Sequence, residues 1–237
     1  MEISIHSLLE GAIRATDTVA VVDVFRAFTT AAVALANRAA RIAMVNMVEE
    51  ALALRDAGVG QICMGEVQGR APNGFDFGNS PFEVSTIDFT GKTIIQRTSA
   101  GTQGIVAASR AKRLCTAWLV TAQATVDALL SGSPDQVSLV AMGDNWLMRT
   151  DEDVLCAIHL QTAWKADPAM RTPFVASFSQ AARSGGFTIR PARICTRRTW
   201  TSRSTSIATI SRLESISRMG DRSRAWKGRG RAGSAQP

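Results

Sequence analysis

The chain has 237 residues, 46% of them hydrophobic, and a formal net charge of +7. That is enough apolar material for one large core or two small ones. No run reaches the ~18 uninterrupted apolar residues of a membrane span. The acidic opening "MEISIHSLLEGAIRATD" does not read as a signal peptide, so a cytoplasmic protein with no membrane partner is expected. The net charge averages two unlike parts. Residues 1–182 carry 14 Lys and Arg against 18 Asp and Glu, whereas residues 183–237 carry 13 against 2. The basic character belongs to the tail, and nucleic-acid binding is not expected of the body.

In chain order, "TVAVVDV" (18–24) is a continuous β-branched run, as in a strand buried on both faces, and ends in Asp23. "RAFTTAAVALANRA" (26–39) is alanine-rich and helical. "RIAMVN" (41–46) reads as a strand and "VEEALALRDAG" (48–58) as a helix stopped by Gly58. "QICMGE" (61–66) and "KTIIQR" (92–97) are strands. The second leads through "TSAGT" into a helix. "RLCTAWL" (113–119) is a strand, "TAQATVDALLSG" (121–132) a helix and "QVSLVAMG" (136–143) a buried strand. "TDEDVLCAIHLQTAWKA" (150–166) is a helix with acids in its first turn, where the dipole favours them. The alternation predicts an α/β fold, layered α/β/α, with a mixed or largely parallel sheet in residues 1–182. From Arg183 the pattern gives way to an Arg/Ser/Thr/Gly-rich stretch without periodicity, which predicts an irregular, disordered tail over 183–237. Cys63, Cys115, Cys156 and Cys195 are widely spaced, which fits a reducing compartment and argues against zinc.

Sites in open α/β sheets form at the carboxyl ends of strands. Four polar clusters fall there. Asp23, Arg26, Thr29 and Thr30 surround the start of a helix, which suits an anion. Glu66 ends a strand. Arg97, Ser99, Gly101 and Thr102 make a hydroxyl-rich turn that resembles a phosphate cradle, although it has no GK[ST] of a Walker A loop. Asp151, Glu152 and Asp153 open a helix and can ligate Mg²⁺ or simply complement the dipole. In "NGFDFGNSP" (73–81), Phe75 and Phe77 are expected to anchor the loop, leaving Asp76, Asn79 and Ser80 to face the site. Pro81 then opens a helix.

Taken in order, "DVFRAFTTA", "GE", "GFDFGNSP", "TSAGT" and "EDVLCA" resemble the 2-phosphosulfolactate phosphatase family, from about Val19 to Ala163. The resemblance implies a Mg²⁺-dependent phosphomonoester hydrolase acting on a small acidic phosphate ester. The family's named reaction converts 2-phospho-3-sulfolactate and water to 3-sulfolactate and phosphate, a step toward coenzyme M. Ala100 stands where the family often has asparagine, which removes one side-chain contact. On this reading Arg26 and Arg97 neutralise phosphate, while Thr29, Thr30, Asn79, Ser80, Ser99, Gly101 and Thr102 supply hydrogen bonds. Asp23, Glu66 and Asp76 do the catalytic work, and Glu66, Asp76, Glu152 and Asp153 hold Mg²⁺. Cys156, His6 and His159 are not expected to take part. The rival readings are a non-catalytic phosphate- or nucleotide-binding regulator and an RNA binder acting through the tail. Homo-oligomerisation stays open. The tail does not match the family, and its codons permit an acidic, periodic peptide one base back, so a frameshift is expected.

Overall fold

The computed structural model describes residues 2–130, 133–165, 195–196 and 208–211. Sixteen regular elements follow in order: β1 (Glu2–Ser7), α1 (Leu8–Arg14), β2 (Asp17–Val22), α2 (Ala27–Ala36), β3 (Arg41–Met44), α3 (Val48–Asp56), β4 (Ile62–Gly65), α4 (Pro81–Val84), β5 (Thr93–Arg97), α5 (Gly101–Ala107), β6 (Ala111–Ala117), α6 (Ala122–Leu130), β7 (Gln136–Ala141), α7 (Asp151–Lys165), β8 (Cys195–Thr196) and β9 (Ala208–Ser211). A 3₁₀ turn, Leu119–Thr121, leads into α6.

The strands form two mixed sheets. One runs β1-β7-β2-β6-β8 and the other β4-β5-β3-β9. β1, β7, β2 and β6 pair in parallel, as do β4, β5 and β3. The last strand of each sheet, β8 or β9, pairs antiparallel. The α/β class with largely parallel, mixed pairing is as expected from the alternation of elements. The division into two sheets is not visible in that alternation, because periodicity does not reveal which strand pairs with which. β2 is central because "VAVV" has no polar residue to spare for solvent, and Val19 to Val22 are fully buried. β1, whose "EISIHS" alternates and stays half-exposed, takes an edge. The sequence reading passed over it. β8 and β9 fall in the stretch expected to be irregular, and the rest of that stretch lies outside the described residues.

One core joins the sheets. Val21, Leu139 and Val140 of the first and Ile42, Met64 and Ile94 of the second share a single buried cluster with Phe28, Ala31 and Leu35 of α2. α2 is buried around most of its circumference, which its alanine-rich sequence allows. Phe77 meets Phe89 edge-on at 5.7 Å. Phe75 packs on a satellite cluster of Val45, Ala51, Cys63 and Ile95. Both phenylalanines therefore anchor their loop. The loop also donates from the Asp76 and Phe77 amides to the Cys63 carbonyl, and the Gly65 amide donates to the Phe77 carbonyl. It lies alongside β4 as an extra rung. No helix among the described residues is long and apolar enough to cross a membrane.

Candidate active site

The carboxyl ends of β2, β4, β5 and β7 and the first turns of α2 and α7 border one cleft of about 730 Å³. Asp23, Arg26, Glu66, Asn79, Ser99, Glu152 and Asp153 all line it. The strand-end rule thus brings together residues separated by up to 130 positions in the chain.

The backbone donors of the cleft point at the protein's own carboxylates. Glu66 accepts from the Ser99 amide at 2.5 Å, the Gly69 amide at 2.7 Å and the Ser99 hydroxyl at 3.0 Å. Asp153 accepts from the Val24 and Gly143 amides, both at 2.8 Å. It thereby ties α7 to the ends of the neighbouring strands β2 and β7. Asp23 accepts from the Ala27 amide at 3.2 Å and from the Gly101 amide. Two glycines permit this approach. A Cβ on Gly101 would stand 2.7 Å from Asp23 Oδ2. One on Gly65, which sits at φ +144°, would overlap the Arg97 carbonyl oxygen.

These contacts revise the sequence reading. The turn read as a phosphate cradle cradles Glu66. The α2 N-terminus read as an anion site is capped by Asp23. The hydroxyls of Thr29, Thr30 and Thr102 donate to the Val24, Arg26 and Thr98 carbonyls. Ser80 Oγ caps α4 by accepting from the Glu83 amide. Asp76 lies outside the cleft lining, where its exposed carboxylate accepts from the Cys63 amide at 2.8 Å and pairs loosely with Arg55. Arg97 is likewise absent from the lining. Its guanidinium donates to the Asn46 carbonyl at 3.1 Å, the Glu66 carbonyl at 2.8 Å and Ser99 Oγ at 3.4 Å. The sequence reading missed Gln68, Gly69, Asp144, Asn145, Met148 and Thr150, all of which line the cleft. Most of them lie in the loop after β7, where the strand-end rule already pointed.

Asp23 is pushed up to about 7, first by burial and then by the Asp153 and Glu66 charges, against the two amide hydrogen bonds. Asp153 is pushed up to about 6, chiefly by burial. Burial pulls Arg97 below its usual value while the Glu66 and Glu49 carboxylates oppose this, and an arginine stays charged throughout. Asn79 Oδ1 is buried without a hydrogen-bond partner. Among the described residues, no three His, Cys, Asp or Glu side chains converge into a ready metal cage. The donor set nevertheless suits a hard cation, because it is all oxygen, anchored in place and short of positive charge. Mg²⁺ is commonly held by one or two carboxylates, with water and phosphate oxygens completing its shell.

Arg97→Ala is expected to cost about 1–3 kcal/mol of stability, because three acceptors lose a charged donor in a half-buried place. It should also lower turnover about tenfold or more by freeing the Glu66 backbone. Arg97→Lys should recover little, since an ammonium cannot span the same acceptors. Chemical denaturation beside an activity assay checks both. Unchanged stability in Arg97→Ala would remove its role as a strut.

A fold of this kind, with carboxylates pinned at strand ends by backbone amides, defines an α/β protein with an acidic, cation-fitting cleft. The family model of 2-phosphosulpholactate phosphatase matches residues 3–183, and the chain belongs to that family. A probable 2-phosphosulfolactate phosphatase of Thermotoga petrophila is 39% identical over 128 residues, 54% of each chain. One of Deinococcus radiodurans is 34% identical over 137 residues, 57% of each chain. One of Bacillus subtilis is 30% identical over 163 residues, 68% of this chain and 70% of the relative. The chain thus matches only about half the length of the first of these relatives.

Proposed function

We propose that the chain is a Mg²⁺-dependent phosphomonoester hydrolase. The observation that carries this reading is the set of carboxylates fixed by backbone amides around a cleft that Arg26 also lines. In the reaction, a water oxygen bonds to phosphorus, the bond from phosphorus to the ester oxygen breaks, and a proton ends on the departing alcohol. The relatives' name points to 2-phosphosulfolactate as the first ester to assay.

Glu66, Glu152 and Asp153 are the carboxylates that would hold Mg²⁺, with Asn79 Oδ1 as a neutral oxygen. When bound, Mg²⁺ supplies positive charge against the negative charge of the phosphoryl oxygens. Arg26, exposed at the start of α2, supplies the guanidinium for the phosphate. Asp23, which titrates at about 7, can hold or release a proton at its carboxyl oxygen near neutral pH. Ser99 and Gly69 keep Glu66 in place. Phosphoryl transfer consists mostly of positioning and charge stabilisation, so no cysteine or histidine nucleophile is needed.

Phosphate release from an ester panel, with and without Mg²⁺, tests the reading directly. A second readout needs no turnover. Asp23 and Asp153 have folded pKa values of about 7 and about 6, above the usual 3.8. Between those limits the metal-free fold therefore binds more protons than the unfolded chain, and stability falls as pH rises through the window. Mg²⁺ should raise the melting temperature at pH 7.5 and do so far less at pH 5, where both groups are neutral. Saturation at about 100 times Kd corresponds to about 2.7 kcal/mol. Asp76→Asn should leave the Mg²⁺ requirement intact, since Asp76 lies outside the cleft. Equal Mg²⁺ stabilisation at both pH values, together with no metal-dependent release, would overturn the proposal.

A further inference from the structure

Resting on the hydrolase reading, we infer that Gln68 determines specificity. Its side-chain amide donates hydrogen bonds to an acid group, carboxylate or sulfonate, carried by the organic part of the ester.

The backbone leads here. Val67 and Arg70 exchange amide-to-carbonyl hydrogen bonds at 2.9 and 3.1 Å, so Gln68 and Gly69 form a two-residue hairpin turn after β4. Both sit in the left-handed region, at φ +51° and +79°. Such a turn favours Asn-Gly, Asp-Gly or Gly-Gly, because longer side chains are strained there. Gly69 fits that rule and Gln68 breaks it. Gln68 is also exposed and lines the cleft. Backbone strain that a fold retains at a site marks a residue kept for what its side chain does. Asn145 is the contrast. It too lines the cleft, at φ +48°, but asparagine tolerates that region. Its Nδ2 already donates to Asp144 Oδ1 at 3.0 Å.

The turn is held firmly although its tip is exposed. The Gln68 amide donates to Ser99 Oγ at 3.1 Å and the Gly69 amide to Glu66 Oε2 at 2.7 Å. Ser99 Oγ in turn donates to Glu66 Oε2 at 3.0 Å. The Gln68 side chain therefore leaves a fixed backbone at the margin of the cleft. Among the described residues, its carboxamide has no hydrogen-bond partner.

The chemistry of that group selects its ligand. A glutamine amide offers two N–H donors and an acceptor, without charge. An acid group leaving water needs donors in place of those it loses, and a hydrogen bond to a charged group is among the stronger kinds. The turn is clasped to Glu66, a carboxylate assigned above to the metal. Gln68 thus stands beside the phosphate's place and reaches the acid group attached next to it.

The test uses Gln68→Gly and Gln68→Glu. Glycine removes the carboxamide, keeps the backbone amide that Ser99 accepts from, and suits the left-handed turn. Glutamate keeps the shape and sets a repelling carboxylate where the donors were. The quantity read is kcat/KM for 2-phosphosulfolactate relative to ethyl phosphate, which bears no acid group beyond its phosphate. Gln68→Gly should lower that ratio about tenfold, mostly through KM, since a hydrogen bond to a charged group is worth roughly ten- to hundredfold. Its melting temperature should equal the parent's or exceed it, because strain is relieved. Gln68→Glu should lower the ratio further, about 100-fold. Calorimetric binding of 3-sulfolactate reads the same contact without turnover and should weaken in the same order. An unchanged ratio, or equal damage to both esters, would overturn the inference and leave the hydrolase reading standing. If no ester is hydrolysed even by the parent, the hydrolase reading fails and calorimetry alone decides. Binding of 3-sulfolactate that is undetectable in the parent, or equal in all three proteins, then overturns the role of Gln68.

Discussion

Glu66→Gln should reduce phosphate release about 100-fold or more and lower stability by about 1–3 kcal/mol, although the side chains are nearly isosteric. Glu66 accepts from two amides and a hydroxyl, all within 3.0 Å. A glutamine has one acceptor oxygen, so its amide nitrogen must face a donor. At least one backbone N–H of Gly69 or Ser99 then loses its partner, which costs about 1–3 kcal/mol where water cannot replace it. Glu66→Ala orphans all three donors and should cost about 2–4 kcal/mol, with water entering the open cleft limiting the loss. The turnover effect is separate. Gln68 and Gly69 in the loop after β4 also line the cleft, and a displacement of about 1 Å in such a group is worth about 100-fold in rate. Glu152→Ala is the comparison: it is half-buried in the first turn of α7 and anchors no loop. It should lower Mg²⁺ affinity with little change in stability. If Glu66→Gln melts like the parent and keeps its turnover, Glu66 does not organise the site.

The strand ends were readable because buried strands announce themselves. "TVAVVDV" and "QVSLVAMG" leave Asp23 and Gly143 where polarity returns, and sites sit at such points. Phe75 and Phe77 were readable as anchors because a polar loop has no other use for two aromatics. What the sequence could not disclose was the direction of each hydrogen bond. "TSAGT" looks the same whether its amides await a phosphate or already hold Glu66, 33 positions away. Arg97 and Asp76 show the same limit. A strand-end arginine and a loop aspartate suggest ligand contacts, yet backbone partners from distant segments, Asn46 and Cys63, claim them first. The pairing of β6 with β2 instead of β5 is also a tertiary choice, one that local periodicity does not encode. Two sheets consequently appear where alternation alone suggested one.

Restoring the reading frame of the C-terminal segment should raise the melting temperature by about 10 °C and suppress aggregation. We propose that the residues beyond about 183 are encoded out of frame. The family match ends at residue 183, where the composition turns from net acidic to 13 basic against 2 acidic residues. The codons permit the repair. Read one base back, each new codon takes the last base of one residue and the first two of the next. Trp200–Thr201 then forces aspartate, Met219–Gly220 glycine and Trp226–Lys227 glutamate. From Cys195 to Leu213 the free third bases allow "HPEDLDLALDIDRYDFAI", which alternates like a strand and is acidic like the body. Leu155 and Ile158 of α7 are 62% and 45% exposed, and they are apolar surface that a restored segment can cover. Each such side chain is worth about 1.5–3 kcal/mol when buried, and about 1 kcal/mol shifts the midpoint of a chain this size by roughly 2–4 °C. The encoding DNA is the first check, because the alternative frame must give an acidic, periodic peptide that extends the family match. The second is the melting temperature and solubility of the frame-restored chain beside this one. A shifted frame without that pattern, or a restored chain with the same melting temperature and solubility as this one, would end the proposal.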